Sequence, residues 1–202
     1  MGNKFVVTGI GTDVGKTVVS SILAEALKAN YWKPVQAGDL QRSDTIKVKE
    51  YTENVTVLEE GFRLTEPISP HAAAEIDGVS IELEALKIPE VSDGLVIEGA
   101  GGLLVPINLE GLTYADVFEN WGLPVIVVSR HYLGSINHTL LTLEVLKERG
   151  IKVEGIVFVG SENSATERLI LGRSGVKLIA RIPIVSEVNK AFVLNQAALL
   201  SL

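Results

Sequence analysis

The segment Gly9-Ile10-Gly11-Thr12-Asp13-Val14-Gly15-Lys16-Thr17 constrains this chain more than any other. It follows the apolar run Phe5-Val6-Val7 and opens into Val18-Val19-Ser20-Ser21-Ile22-Leu23-Ala24-Glu25-Ala26-Leu27, which reads as a helix. Strand, glycine-rich turn, Lys-Thr and helix in that order form a phosphate-binding loop, one residue longer than usual between its first glycine and Gly-Lys-Thr. Backbone N–H groups from Thr12 to Val18 can converge on phosphate oxygens where glycine leaves room, and the helix N-terminus adds positive potential. Lys16 is placed to neutralise the outer phosphates and the Thr17 hydroxyl to hold Mg²⁺. A nucleoside triphosphate is the expected ligand.

The rest of the chain gives this loop an α/β setting. Runs rich in Val and Ile recur at Lys4–Thr8, Gly94–Glu98, Pro124–Ser129, Gly155–Val159 and Lys177–Ile182. They are nearly continuous, as in parallel strands buried on both faces. Between them Tyr114–Trp121 and Ser135–Arg149 carry helical periodicity, with Gly122 and Gly150 as stops. The alternation predicts a doubly wound α/β domain, its mainly parallel sheet covered by helices on both sides and its site at the C-terminal strand ends. Tyr31-Trp32 reads as a further strand, Ser43–Tyr51 and Glu82–Lys87 as helices, Glu66–Pro70 as a fixed turn, and Asn189–Leu202 as a short helical tail. With 202 residues, 47% hydrophobic and 21% charged, and no linker or repeat, one domain over 1–202 is expected.

Composition excludes several classes. A net charge of −7 argues against a nucleic-acid partner. The chain has no cysteine, which removes disulfides, thiolate metal sites and any Cys nucleophile. The start MGNKFVVTGIG lacks a signal-peptide pattern and no long apolar run suggests a membrane span, so a cytoplasmic location away from membranes is expected. No Gly-x-Ser-x-Gly elbow supports acyl transfer. The three histidines form no metal set, and His71 and His138 read as hydrogen-bonded structural groups.

Other residues have two readings each. Glu98, ending its strand before Gly99-Ala100-Gly101-Gly102, is a Mg²⁺ carboxylate beside the loop or a strand-end acid facing solvent; the glycines, Gly101 among them, allow close approach to a ligand. Lys33 is a surface lysine or a second cation at the same edge. Asp44 is a second Mg²⁺ carboxylate or a helix N-cap. Gly134-Ser135-Ile136-Asn137-His138 opens the long helix, either with Ser135 as an ordinary cap, which spacing alone favours, or with free N–H groups that hold a carboxylate.

Taken together, the extended loop, Lys33-Pro34-Val35, Ser43-Asp44, Glu66-Pro67-x-Ser69-Pro70-His71, Val96-Ile97-Glu98-Gly99-Ala100-Gly101-Gly102 and Leu133-Gly134-Ser135-Ile136-Asn137-His138 stand in an order that resembles the dethiobiotin synthetases. The resemblance runs to about residue 159 and implies an ATP- and Mg²⁺-dependent ligase of biotin synthesis. Such an enzyme converts 7,8-diaminononanoate and CO₂ to dethiobiotin, ADP and phosphate through a carbamate and a carbamic-phosphoric anhydride. It implies that Thr17, Asp44 and Glu98 hold the metal and that Lys16 grips the phosphates, with Asp13 near the terminal one. It further implies that Lys33 stabilises the carbamate and the phosphoryl group in transit. Leu133, Gly134, Ser135 and Asn137 would bind the substrate's distal carboxylate from the partner subunit of a homodimer.

Three departures from the family pattern matter. Ala37 stands before Gly38 where relatives have Ser, leaving one substrate hydrogen bond missing or supplied by Gln36. Tyr132 replaces a Lys or Gly before Leu-Gly. Val159 occupies the position from which relatives read the purine with Asn, so backbone around Arg181-Ile182-Pro183 is left to meet the base and relaxed nucleobase selectivity is expected. Two rivals carry less. A partitioning-type switch ATPase has a lysine five residues before the main one, where this chain has Gly11, and a cobyrinate-type amide synthetase needs a Cys nucleophile. Another small ATP-dependent carboxylase or ligase on the same scaffold remains the alternative.

Overall fold

The computed structural model describes residues 3–200. In chain order β1 is Lys4–Gly9, α1 Lys16–Leu27, β2 Asn30–Trp32, β3 Val35–Ala37, α2 Asp44–Tyr51, β4 Phe62–Leu64, α3 Pro70–Ile76, β5 Leu95–Gly102 and α4 Tyr114–Trp121. Then come β6 Val125–Arg130, α5 Ser135–Glu148, β7 Val153–Val159, α6 Ser164–Ser174, β8 Leu178–Ile182 and α7 Lys190–Leu199. Six strands form one sheet in the order β2-β5-β1-β6-β7-β8, every neighbouring pair parallel.

Connection order explains the two covered faces. From β1 the chain moves outward through α1 to β2, and from β6 it moves the opposite way through α5 and α6 to β8. Right-handed crossovers therefore put these helices on opposite faces. Helix α1 packs against α7, and α5 against α6. The central strands are apolar on both sides: Val6, Val7, Leu95, Val96, Ile97 and Val125–Val128 are all inaccessible to solvent. The strand order reverses around β1, which puts the C-terminal ends of β1 and β5 at the crevice where ligands bind in such sheets.

Several expectations need correction. Glu98 does not end its strand, since β5 continues through the glycines to Gly102. Glu82–Lys87 is only a 3-10 turn over Leu83–Ala85. The turn at Glu66–Pro70 leads into α3, whose first residue is Pro70, a position where the missing N–H removes no helix bond. The small parallel sheet β3–β4 and helix α6 had no sequence expectation. Helix α7 realises the tail, whose final positions 201–202 lie outside the described residues.

Candidate active site

The loop between β1 and α1 is a compact cradle. A Cβ on Gly9 would lie 2.6 Å from Val14 Cγ2 and 3.1 Å from Lys16 Cδ, so only glycine lets the loop fold over itself. Gly15 precedes the helix with φ +96°, a left-handed value natural to glycine. Helix α1 starts at Lys16, two residues earlier than the apolar pattern suggested, and places Lys16 and Thr17 in its first turn. Val14 is buried under the loop, whereas Thr12 and Asp13 face outward. Asp13 has φ 56°, and its carbonyl accepts a 3.2 Å hydrogen bond from Arg130 at the end of β6.

A cleft of about 680 Å³ opens over this loop, lined by Thr12, Asp13, Gly15–Val18, Lys33, Ala37, Asp44, Glu98 and Gly101. At its base the open readings close. Lys33 is no surface lysine: it is 2% exposed, and its ammonium lies 2.8 Å from Asp44 Oδ2 and 3.1 Å from Glu98 Oε1, while donating to the Gly99 carbonyl at 3.0 Å. Asp44 is not the cap of α2. Ser43 is, its hydroxyl accepting from the Ile46 N–H, and Asp44 as the first helical residue turns its carboxylate to Lys33. Glu98 is 1% exposed and takes the Thr17 hydroxyl at 2.9 Å, so it faces the loop rather than solvent.

Electrostatics fix the charge states. Burial opposes the Lys33 cation, but Glu98 and Asp44 outweigh it and hold its pKa above the ordinary lysine value. Burial likewise opposes the Asp44 anion, yet Lys33 keeps that carboxyl well below the usual range. Lys16 is in the opposite situation. Its burial and the nearby Lys33 cation lower its pKa to about 8, against weaker pulls from Glu98, Asp44 and Asp13, and its ammonium is parked on the Gly11 carbonyl at 2.8 Å. Lys33 is a permanent cation already matched by two anions; Lys16 is an underpaired cation that gains from an incoming phosphate.

Among the described residues no group of three or more acidic or histidine side chains forms a metal cage. Thr17, Asp44 and Glu98 instead offer one hydroxyl and two carboxylates at the phosphate loop. This is a hard oxygen set suited to Mg²⁺, which keeps most of its water and leans on the substrate's phosphates.

Other expected residues lie apart from this centre. Leu133, Gly134, Ser135 and Asn137 do not line the cleft of their own chain. Gly134, with φ 103°, is the N-cap of α5 and gives no side-chain bond, so Ser135 is not the cap. It is buried as the first helical residue, while Leu133 is fully exposed. Val159 packs close to Gly15 at the loop, its Cγ2 lying 3.4 Å from where a Cβ on Gly15 would stand. Ile182 ends β8 and accepts from the Gly160 N–H at 2.9 Å, and Pro183 follows directly. His71 and His138 are hydrogen-bonded as expected, to the hydroxyls of Ser69 and Tyr132.

One participant escaped the sequence reading: Tyr31, whose hydroxyl donates to Glu98 Oε2 at 2.9 Å. A usable signal existed, because Tyr31 and Lys33 are two apart on an extended segment and so share a face. Burial first, then Glu98, pushes the Tyr31 pKa well above that of a free phenol.

With this geometry in place, comparison with known proteins decides the family. A family model described as an AAA domain matches residues 3–191. An ATP-dependent dethiobiotin synthetase of Christiangramia forsetii is 54% identical over 184 residues, 90% of this chain and 88% of that one. Another, from Rhodopseudomonas palustris, is 49% identical over 185 residues, 91% and 87% of the two chains. The chain belongs to the dethiobiotin synthetase family. Solved structures add the fold alone. A ParA family ATPase from Chlorobium tepidum aligns with TM-score 0.58 at 13% identity, over 98% of this chain and 99% of that one. The cell division ATPase MinD of Pyrococcus furiosus aligns with TM-score 0.56 at 16% identity, over 98% of each. These neighbours share the fold, whereas the synthetase relatives share about half of the aligned residues. No helix among the described residues is long and apolar enough to cross a membrane.

Proposed function

We propose that this chain is a dethiobiotin synthetase that closes the cyclic urea of dethiobiotin from 7,8-diaminononanoate, CO₂ and ATP. The observation that carries the reading is Lys33, a buried lysine held in its charged form between two carboxylates at the base of the cleft over the phosphate loop. One substrate amine adds to CO₂ and loses a proton, giving a carbamate. A carbamate oxygen attacks the γ-phosphorus of ATP and ADP departs. The second amine then attacks the carbamoyl carbon, phosphate leaves and the attacking nitrogen gives up a proton, which closes the ring. These steps need positioning and neutralisation of charge more than a protein nucleophile.

Each residue's part is carried over from the family pattern and, at the phosphate loop, is supported by its surroundings. Lys33 cannot act as a base and meets the carbamate and the transferring phosphoryl oxygens as a fixed cation. Lys16 grips the outer phosphates, with the loop N–H groups of Thr12–Val18 around them and Asp13 nearby. Thr17, Asp44 and Glu98 hold Mg²⁺, which supplies charge neutralisation to the phosphates when bound. Ala37 and Gln36 face the substrate, and Gly101 leaves room for the nucleotide. Val159, with the backbone of Ile182 and Pro183, borders the base and gives relaxed nucleobase selectivity. Leu133, Gly134, Ser135 and Asn137 receive the substrate's distal carboxylate across the interface of a homodimer. Full exposure of Leu133 and its distance from the chain's own cleft support that assignment. One domain carries all of this, and the enzyme works in the cytoplasm.

The test is turnover with 7,8-diaminononanoate, bicarbonate, Mg²⁺ and ATP, read as dethiobiotin by mass spectrometry and repeated with GTP and CTP. Wild type should form product, and Lys33→Ala or Lys33→Gln, with folding checked by circular dichroism, should lose about a thousandfold or more. The KM values for the three nucleotides should fall within about tenfold of one another, since no side-chain hydrogen bond at Val159 discriminates among them. Hydrolysis that needs no diamine and yields no dethiobiotin would shift the assignment to another ligase on this scaffold.

A further inference from the structure

Beneath Glu98 lies a contact that the reaction itself does not require. Both Glu98 oxygens are used, but on different sides. Oε1 accepts from Thr17 Oγ1 at 2.9 Å and from Lys33 Nζ at 3.1 Å, while Oε2, among the described residues, accepts only from Tyr31 Oη at 2.9 Å. Tyr31 has no solvent exposure, and Glu98 is 1% exposed. The phenol is held at its backbone on both sides: its N–H donates to the Thr56 carbonyl at 3.0 Å and its carbonyl accepts from Leu58 at 2.9 Å. It is also paired in register with Val96 of β5, two residues from Glu98 on the strand that carries the carboxylate.

A carboxylate with one oxygen unanchored can rotate about its last side-chain bond, a broad torsion with no sharp well. Tyr31 restrains that rotation from the side opposite Thr17 and Lys33. With Oε2 tied to a buried phenol whose backbone is fixed on both sides, Oε1 is aimed at Thr17 before any nucleotide arrives. We propose that Tyr31 is the positioning residue that orients Glu98 towards Thr17 and so sets the affinity of the site for Mg²⁺ with a nucleoside triphosphate. This rests on the assignment of Thr17 and Glu98 to the metal, but not on the identity of the second substrate.

The structure supplies its own control. Tyr114 is equally buried near the same centre, yet among the described residues its hydroxyl has no hydrogen-bond partner. Calorimetry with a non-hydrolysable ATP analogue, titrated at a series of Mg²⁺ concentrations, reads the effect without turnover. Tyr31→Phe should raise the Mg²⁺ concentration giving half-maximal enhancement of analogue affinity by about tenfold, the worth of one hydrogen bond to a charged group. Analogue affinity without Mg²⁺ should move less than twofold, and Tyr114→Phe should leave the Mg²⁺ dependence unchanged. In a Glu98→Gln background, adding Tyr31→Phe should bring no further shift, because the phenol acts through that carboxylate. A Mg²⁺ dependence like wild type in Tyr31→Phe, an equal shift in Tyr114→Phe, or full additivity with Glu98→Gln would each overturn the proposal. Should Tyr31→Phe not fold, Tyr31→His, whose ring nitrogen falls short of the phenol position and cannot reach Glu98, takes its place and should weaken the Mg²⁺ dependence by about the same tenfold, a wild-type dependence overturning the proposal; a wild-type chain whose analogue affinity ignores Mg²⁺ overturns the metal assignment itself.

Discussion

The two halves of the sheet edge are built on opposite plans. Around β1, β2 and β5 the chain buries a closed set of charges: Lys33 between Asp44 and Glu98, with Glu98 held again by Thr17 and Tyr31. Around β6 and α5 the segment assigned to the substrate's carboxylate stays open, with Leu133 fully exposed and Gly134 giving α5 no side-chain cap. The first region is finished within one chain. The second is completed, in the proposal made above, by the partner subunit of a homodimer. Charge neutralisation for phosphoryl transfer demands preorganised cations in a dry setting, which a single core supplies, whereas a long flexible diamine acid has a second end that lies elsewhere.

The largest expected effect strikes the closed region. Lys33→Ala leaves the carboxylates of Asp44 and Glu98 without their cation, and chemical denaturation should show a loss of about 3–5 kcal/mol. A loss below about 1 kcal/mol would break the contrast, because the centre would then not be held together by its own charges.

Lys16→Met should act with the opposite sign. Lys16 falls from 10.5 towards about 8 on folding, so between those values the unfolded chain binds more protons and wild-type stability rises with pH. Below about pH 8 the full penalty remains, and removing the charge should stabilise the free protein by up to about 3 kcal/mol while triphosphate binding collapses. Thermal melts across pH 7–10 check both parts, since the pH-dependent rise should vanish in the variant.

The same residue gives wild type a pH signature in binding. Phosphates need the Lys16 ammonium, so above about pH 8 nucleotide affinity should decline towards about tenfold per pH unit, with proton uptake measurable by calorimetry in buffers of different ionisation heat. Smallest of all is the stability effect in the open region. Leu133→Asp should leave the unfolding free energy of the isolated chain within about 0.5 kcal/mol of wild type, while raising KM for the diamine by repelling its carboxylate. A large fall in stability would sharpen the account by showing that Leu133 is already covered.

What the sequence revealed follows the same division. The phosphate loop and the parallel strands are legible because glycine spacing and unbroken Val/Ile runs are local signals; Glu98 keeps two readings until its 2.9 Å contact with Thr17 is seen. Lys33 and Asp44 were ambiguous because their meaning is their 2.8 Å meeting, a tertiary fact between segments eleven residues apart. Tyr31 reads as one more apolar strand residue, although its spacing from Lys33 puts the two on one face. Helix α6 gave no periodic stripe: Leu169, Ile170 and Leu171 cluster between Arg168 and Arg173, and only Glu167 and Ile170 are buried. Strands β3 and β4 span three residues each, too short for any period to register.

The division between a closed and an open region is tested most directly by subunit complementation. Lys33→Ala disables the closed region and Asn137→Asp the open one, each leaving the other intact. If sites are shared between two chains, mixing the two inactive variants after mild dissociation should restore dethiobiotin formation to about a quarter of wild type, because half the dimers are mixed and each holds one intact site. Mixtures as inactive as either variant alone would contradict the account and place the whole site within a single chain.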